Sequence, residues 1–238
     1  MENDLKLSQH ISKRFNQELE EVRNQVLKMG GLVEQQVSDG LIALLEADQI
    51  LGNKVVETDA QVNAMEVEID ETCTEILARR QPAASDLRLM VSIIKTITDL
   101  ERIGDEAEKL GVNAIILSSK NNHSSQFAEL HHLGESVKKM LNRALNAYAR
   151  MDVEEALAVI ESDQIVNKEF DNISRLLVLK MMEDPREIKN ALRISWCARA
   201  LERIGDHTKN ICEYIVYLVK GKDVRHTSFK EMKKKIES

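Results

Sequence analysis

Helix breakers are scarce in this sequence. Its 238 residues include two prolines, Pro82 and Pro185, and aromatic residues make up 3%. A β-sandwich needs turn residues every 8–12 positions or so, and this spacing excludes one. The three cysteines, Cys73, Cys197 and Cys212, are odd in number and form no Cys-x-x-Cys pair. They read as reduced core residues of a cytoplasmic protein, not as a disulfide framework. Residues 1–10 are polar, with no apolar signal core. No apolar stretch approaches the ~20 residues of a membrane span. The net charge of −7 argues against a general nucleic-acid binder. Phosphate-binding glycine loops and Ser/His/Asp or Cys/His arrangements are also missing.

What the sequence does have is helical periodicity. The chain is 43% hydrophobic and 31% charged, which suits strongly amphipathic helices. Phe15, Leu19, Val22, Val26, Met29, Val33, Val37, Leu41 and Leu44 recur at steps of three or four and predict a first helix over 8–47. Gly30 and Gly31 inside it mark a bend or close packing. Asp48 is placed to cap a second helix that runs to Arg80, with Val55, Val62, Met65, Ile69, Cys73 and Ile76 inward. A break around Pro82 restarts the chain into a third helix over 86–117. Residues 118–125 read as a linker. A fourth helix spans 126–150, and Asp152 caps a fifth that ends near Asp184. Pro185 suits the first turn of a sixth helix, which ends near Lys220 before Gly221. Cys197 and Trp196, on this sixth helix, are expected in the core. Residues 220–238 carry a net charge of +4 against −11 for the rest, which predicts a solvated basic tail, with contact to an acidic partner or an anionic membrane surface as the other reading.

The second half repeats the first. Gly30, Val33, Leu41, Asp48, Asp59, Val62, Asn63 and Ile69 match Gly134, Val137, Leu145, Asp152, Asp163, Val166, Asn167 and Ile173, each 104 positions on. In the third helix of each copy the offset falls to 101, because the loop at Pro82 is longer than the loop at Pro185. A register change confined to one loop is the signature of a duplicated three-helix unit. The expected fold is all-α: two tandem, pseudo-symmetric antiparallel three-helix bundles with six long helices. The expected bounds are 8–118 for the first repeat, 119–125 for the linker, 126–220 for the second repeat and 221–238 for the tail. Whether the bundles lie side by side or end to end stays open.

Leu100-Glu-Arg-Ile-Gly-Asp105 recurs as Leu201-Glu-Arg-Ile-Gly-Asp206. Residues four apart share a helix face, so Glu101 and Asp105 form one carboxylate pair, and Glu202 and Asp206 another. Gly104 and Gly205 weaken the helix interior by about 1 kcal/mol each, which signals a close approach to the backbone. Asp59, Asn63 and Glu66 line one face of the second helix. The copies are Asp163 and Asn167, with Phe170 where Glu66 stands. Three to five oxygen ligands per repeat suit Mg²⁺, Ca²⁺, Mn²⁺ or iron. The same acids beside Arg102 and Arg203 also fit a plain ion-paired helix surface, and spacing alone leaves both readings open.

Five segments together resemble the PhoU family of bacterial phosphate-transport regulators. They are Met29-Gly-Gly-Leu-Val-Glu34, Arg79-Arg-Gln-Pro-Ala-Ala-Ser-Asp-Leu-Arg88, Asp99-Leu-Glu-Arg-Ile-Gly-Asp105, Met182-Glu-Asp-Pro-Arg186 and Leu201-Glu-Arg-Ile-Gly-Asp206. The resemblance implies two pseudo-symmetric three-helix bundles. It implies metal ions (iron, zinc, manganese or magnesium) held at Glu101/Asp105 and Glu202/Asp206, with Asp59, Asn63 and Glu66 or Asp163 and Asn167 opposite. It also implies a non-enzymatic, cytoplasmic negative regulator of the phosphate-starvation response and of phosphate homeostasis. Such a protein is often a homodimer. It couples the ATPase of the phosphate ABC importer to the sensor histidine kinase and meets the membrane only through these partners. The rival functions are a carboxylate-bridged metalloenzyme of phosphohydrolase type and a metal-free structural helical protein.

Overall fold

The computed structural model describes residues 13–118 and 127–237. The expected start at Ser8 and the linker after Ser118 lie outside them. Among the described residues seven α-helices follow in order: α1 (Lys13–Glu46), α2 (Gln49–Arg80), α3 (Ser85–Ser118), α4 (Phe127–Arg150), α5 (Val153–Glu183), α6 (Ile188–Lys220) and α7 (Phe229–Glu237). The fold is all-α.

The helix limits follow from local chemistry. The Asp48 carboxylate accepts from the Ile50 and Leu51 amides, and Asp152 accepts from that of Glu155, satisfying donors that a helix start leaves open. Pro185 opens a short 3₁₀ turn (Pro185–Glu187) leading into α6. Gly221 ends α6 at φ 69°, a conformation glycine adopts without steric cost. All nine apolar positions of the first periodic row are buried.

The two bundles lie side by side. α1, α3, α4 and α6 make the centre, with α3 packed on α6 and α1 on α4. α2 flanks the first repeat and α5 the second. Gly30 and Gly134 belong to this junction. A Cβ on Gly30 would stand 2.7 Å from Leu145, and one on Gly134 would stand 2.5 Å from Leu41. Both glycines and both leucines are matched pairs of the duplication, so each repeat inserts a leucine against the other's glycine. Close packing, not a bend, explains them.

The junction is also polar. The buried Asp99 carboxylate on α3 contacts Nδ1 of His207 at 2.7 Å and accepts from Tyr214 Oη at 2.8 Å and Asn210 Nδ2 at 3.2 Å, all on α6. Arg203 reaches Glu106 at 2.7 Å. His207 is therefore an interface residue.

Two expectations need correction. Trp196 is 58% exposed, because its face of α6 turns outward, while Cys197 beside it is buried. The basic end is more than a solvated tail: Val224 and Met232 are buried, and α7 forms within it.

Candidate functional site

The repeated carboxylates face the flanking helices, so each repeat builds one acidic seam: α3 against α2 in the first, α6 against α5 in the second. The motif glycines make this approach possible. A Cβ on Gly104 would meet Val62 at 3.2 Å and the Gln36 side-chain oxygen at 3.1 Å; one on Gly205 would meet Val166 at 3.2 Å. Val62 and Val166 are matched residues, so each glycine admits the same valine from the flanking helix. The close approach is helix packing.

In the first seam Asp59 is buried and accepts from Asn63 Nδ2 at 3.0 Å, with the Gln36 amide at 3.5 Å. The Asn63 oxygen and the Gln36 oxygen are buried and make no hydrogen bond. Burial pushes the Glu101 carboxyl up, and the charges of Asp105, Glu66 and Asp59 push it further, against Arg102. Burial raises Glu108 as well, joined by Asp59 and Asp105 and opposed by Lys109. Glu108 lies one turn beyond Asp105, and sequence reasoning missed it. Among the described residues none of Asp59, Glu66, Glu101, Asp105 and Glu108 makes an ion pair. The nearby cations turn elsewhere: Lys109 to Glu106 at 2.9 Å, Lys54 to Asp39 at 2.9 Å and Arg102 toward Asp99 at 4.0 Å.

The second seam keeps the frame and changes the filling. Asn167 donates to Asp163 at 3.2 Å, as Asn63 does to Asp59. Here, however, Lys209 Nζ lies 3.1 Å from the same Asp163 oxygen. Arg199 donates to Glu202 at 3.0 Å and lies 5.7 Å from the centre of the Phe170 ring, a cation–π distance. Glu169, near Phe170, turns to α4 and meets His132 at 3.0 Å. Burial raises the Glu202 carboxyl with help from Asp206 and Asp163, against Arg199 and Arg203. Burial and Asp163 raise Asp206, against Lys209, His207 and Arg199. Burial opposes the charge on Lys209, but Asp163 pushes its pKa up overall.

The structure thus gathers Asp59, Asn63, Glu66, Glu101 and Asp105 along one seam, and Asp163, Asn167, Glu202 and Asp206 along the other. Among the described residues, no three His, Cys, Asp or Glu side chains converge on one ion-sized position. The polar groups left over in the first seam are oxygens in an acidic setting, a donor set that fits a hard cation. Arg79 and Arg80, at the end of α2, pair with Glu75 at 2.8 Å and with Glu18 at 2.7 Å.

Comparison with known proteins gives a consistent answer over the whole chain. The sequence profile of the PhoU domain matches twice, over residues 26–113 and 130–215, one match for each repeat. The phosphate-specific transport system accessory protein PhoU homolog of Pseudomonas aeruginosa is 51% identical over 238 residues, covering 100% of this chain and 98% of that protein. The accessory protein PhoU of Escherichia coli K12 is 48% identical over 232 residues, covering 98% of this chain and 96% of its own. The crystal structure of PhoU from Pseudomonas aeruginosa superposes with a TM-score of 0.85 at 52% identity, covering 87% of this chain and 100% of that one. The phosphate transport system regulatory protein PhoU from Streptococcus pneumoniae gives 0.82 at 30% identity, covering 88% of this chain and 99% of that one. Two profile matches in register with the two bundles, and relatives that span the chain end to end, make this chain a member of the PhoU family.

Proposed function

We propose that this chain is a non-enzymatic regulator of phosphate uptake that acts by contact. In this reading it restrains the phosphate ABC importer through its ATPase, restrains the sensor histidine kinase, and so keeps the phosphate-starvation response silent while phosphate is plentiful. The observation that carries the reading is 51% identity over the full chain to a phosphate-specific transport accessory protein. A contact role is also supported by the surface. Leu176, Leu179, Met182 and Trp196 are exposed on α5 and α6, whereas their counterparts in the first repeat are Thr72, Glu75, Ala78 and Lys95. No helix among the described residues is long and apolar enough to cross a membrane. A cytoplasmic homodimer reaching the membrane only through its partners accords with that.

The same reading places a metal ion in the first seam. Asp59, Glu101 and Asp105 would hold it, with Glu66, Asn63 and Glu108 in reach. The donor set is all oxygen, which suits magnesium, manganese or iron more than zinc. The ion would supply positive charge between α2 and α3, offsetting carboxylates that otherwise repel.

Deleting the gene in its host tests the regulatory reading. Phosphate-scavenging genes are expected to switch on in phosphate-rich medium, and the wild-type gene supplied in trans to silence them again. Genes that stay silent in the deletion strain contradict it.

A further inference from the structure

Laying one seam on the other exposes four differences that run one way, against a single opposite one, Glu213 for Val112 at the far end. With the two offsets of the duplication, Gln36 corresponds to Met140, Glu66 to Phe170, Thr98 to Arg199 and Glu108 to Lys209. Each of these four removes an oxygen ligand or adds a positive charge in the second repeat. The retained residues hold the same geometry on both sides: Asp59 and Asp163 are both buried, and each accepts from the asparagine one turn on, at 3.0 and 3.2 Å. The first seam therefore has five carboxylates and no ion pair among the described residues, with two buried side-chain oxygens, of Gln36 and Asn63, left without a hydrogen bond. The second has Asp163, Glu202 and Asp206, with Glu213 beyond them, and two cations already in contact: Lys209 on Asp163 at 3.1 Å and Arg199 on Glu202 at 3.0 Å.

We propose that Lys209 and Arg199 are built-in counter-ions that take the place of a metal ion in the second repeat, so that this chain binds metal through its first repeat only. An ammonium on Asp163 occupies the carboxylate that would anchor a metal between α5 and α6. A metal entering beside it would meet one fixed positive charge at Asp163 and another at Glu202. The Phe170 ring lies in the position of the oxygen ligand Glu66, and the Arg199 guanidinium stacks over it. One oxygen of Asp163 and one of Glu202 stay without a hydrogen-bond partner, so the cations balance the seam's charge without satisfying every lone pair. The single-site statement rests on the metal reading of the first seam; the counter-ion statement does not.

The test separates the two. In chelator at pH 8, Glu108→Gln removes a like charge from the first seam and is expected to raise Tm by about 2–4 °C. Lys209→Gln at the matched position strips a buried carboxylate of its cation and is expected to lower Tm by about 2–6 °C, while Lys209→Arg keeps Tm near the wild type. Opposite signs support the counter-ions; equal signs overturn them. Manganese titration followed by native mass spectrometry then reads the metal. The wild type and Glu202→Gln/Asp206→Asn are expected to bind alike, Glu108→Lys to lose its binding, and Lys209→Glu with Phe170→Glu and Arg199→Thr to gain a second increment. Loss of bound manganese in Glu202→Gln/Asp206→Asn overturns the single-site proposal. A wild type that binds none removes the metal reading of the first seam and the single-site statement with it, and leaves the counter-ions to the Tm signs.

Discussion

The two repeats share a backbone plan and differ in how they balance charge. Both carry Leu-Glu-Arg-Ile-Gly-Asp, both seat a valine against the motif glycine, and both hold the flanking aspartate with an asparagine. Among the described residues the first leaves its seam carboxylates without an ion pair, and the second pairs Asp163 with Lys209 and Glu202 with Arg199. A duplicated motif therefore fixes where charge is placed, while residues one helical turn away decide what neutralises it. Without that comparison the motif reads as two equal sites.

The largest expected effect breaks the junction that the repeats share unequally. Asp99 has Ala200 at its matched position, so the polar contact with His207, Asn210 and Tyr214 exists on one side only. Asp99→Ala strands those three groups and is expected to cost about 3 kcal/mol in urea unfolding. A cost under about 1 kcal/mol would mean the network is incidental.

Backbone spacing between flanking and central helices comes next. A Cβ on Gly111 would stand 2.9 Å from the Gly52 carbonyl oxygen, so α2 and α3 touch through their backbones. The second repeat has Ala156 and Cys212 at these places. Gly111→Ala is expected to destabilise by about 2 kcal/mol despite the better helix propensity of alanine. Ala156→Gly, at the position matched to Gly52, is expected to cost about 1 kcal/mol. Equal costs would show that the two repeats tolerate the same spacing.

The smallest effect is a pH dependence carried by a residue with no titratable counterpart in the first repeat. Glu213 is 7% exposed, and its counterpart Val112 cannot titrate. Burial lifts the Glu213 carboxyl to about 7, with Asp223 and Asp163 adding to the rise and Lys209 and Arg225 opposing it. The folded state thus holds this proton more tightly than the unfolded chain. Glu213 favours folding most below its ordinary value, near 4.5, and loses that contribution as pH rises through about 7. Glu213→Gln is expected to flatten this decline and to stabilise the protein by roughly 1–2 kcal/mol at pH 8. An unchanged stability profile between pH 5 and pH 8 would contradict it.

Much of the frame was legible in the sequence. The apolar rows place the six long helices to within about three residues over the described ends, the largest difference being the 3₁₀ turn at Pro185 ahead of α6, and Asp48 and Asp152 cap as their position before each row implies. Periodicity reports one helix at a time, so it could not show that the bundles lie side by side. Gly30 against Leu145 and Gly134 against Leu41 carry that, and matched glycines facing matched leucines become a signal only once the pairing is known. Trp196 fell outside the core because its face of α6 has no partner helix. The carboxylates on α2, α3, α5 and α6 were readable from i,i+4 spacing. Their neutralisation was not, because Lys209 on α6 reaches Asp163 on the neighbouring α5, 46 residues away in sequence. The 101-residue offset extended one turn either way would have paired Glu108 with Lys209 and Thr98 with Arg199.

The difference between the repeats is tested most directly by anomalous diffraction from crystals grown with manganese. The account predicts a peak between α2 and α3, beside Asp59, Glu101 and Asp105, and none between α5 and α6, where Lys209 stays on Asp163. Peaks of equal height in both seams, with Lys209 displaced, would contradict it.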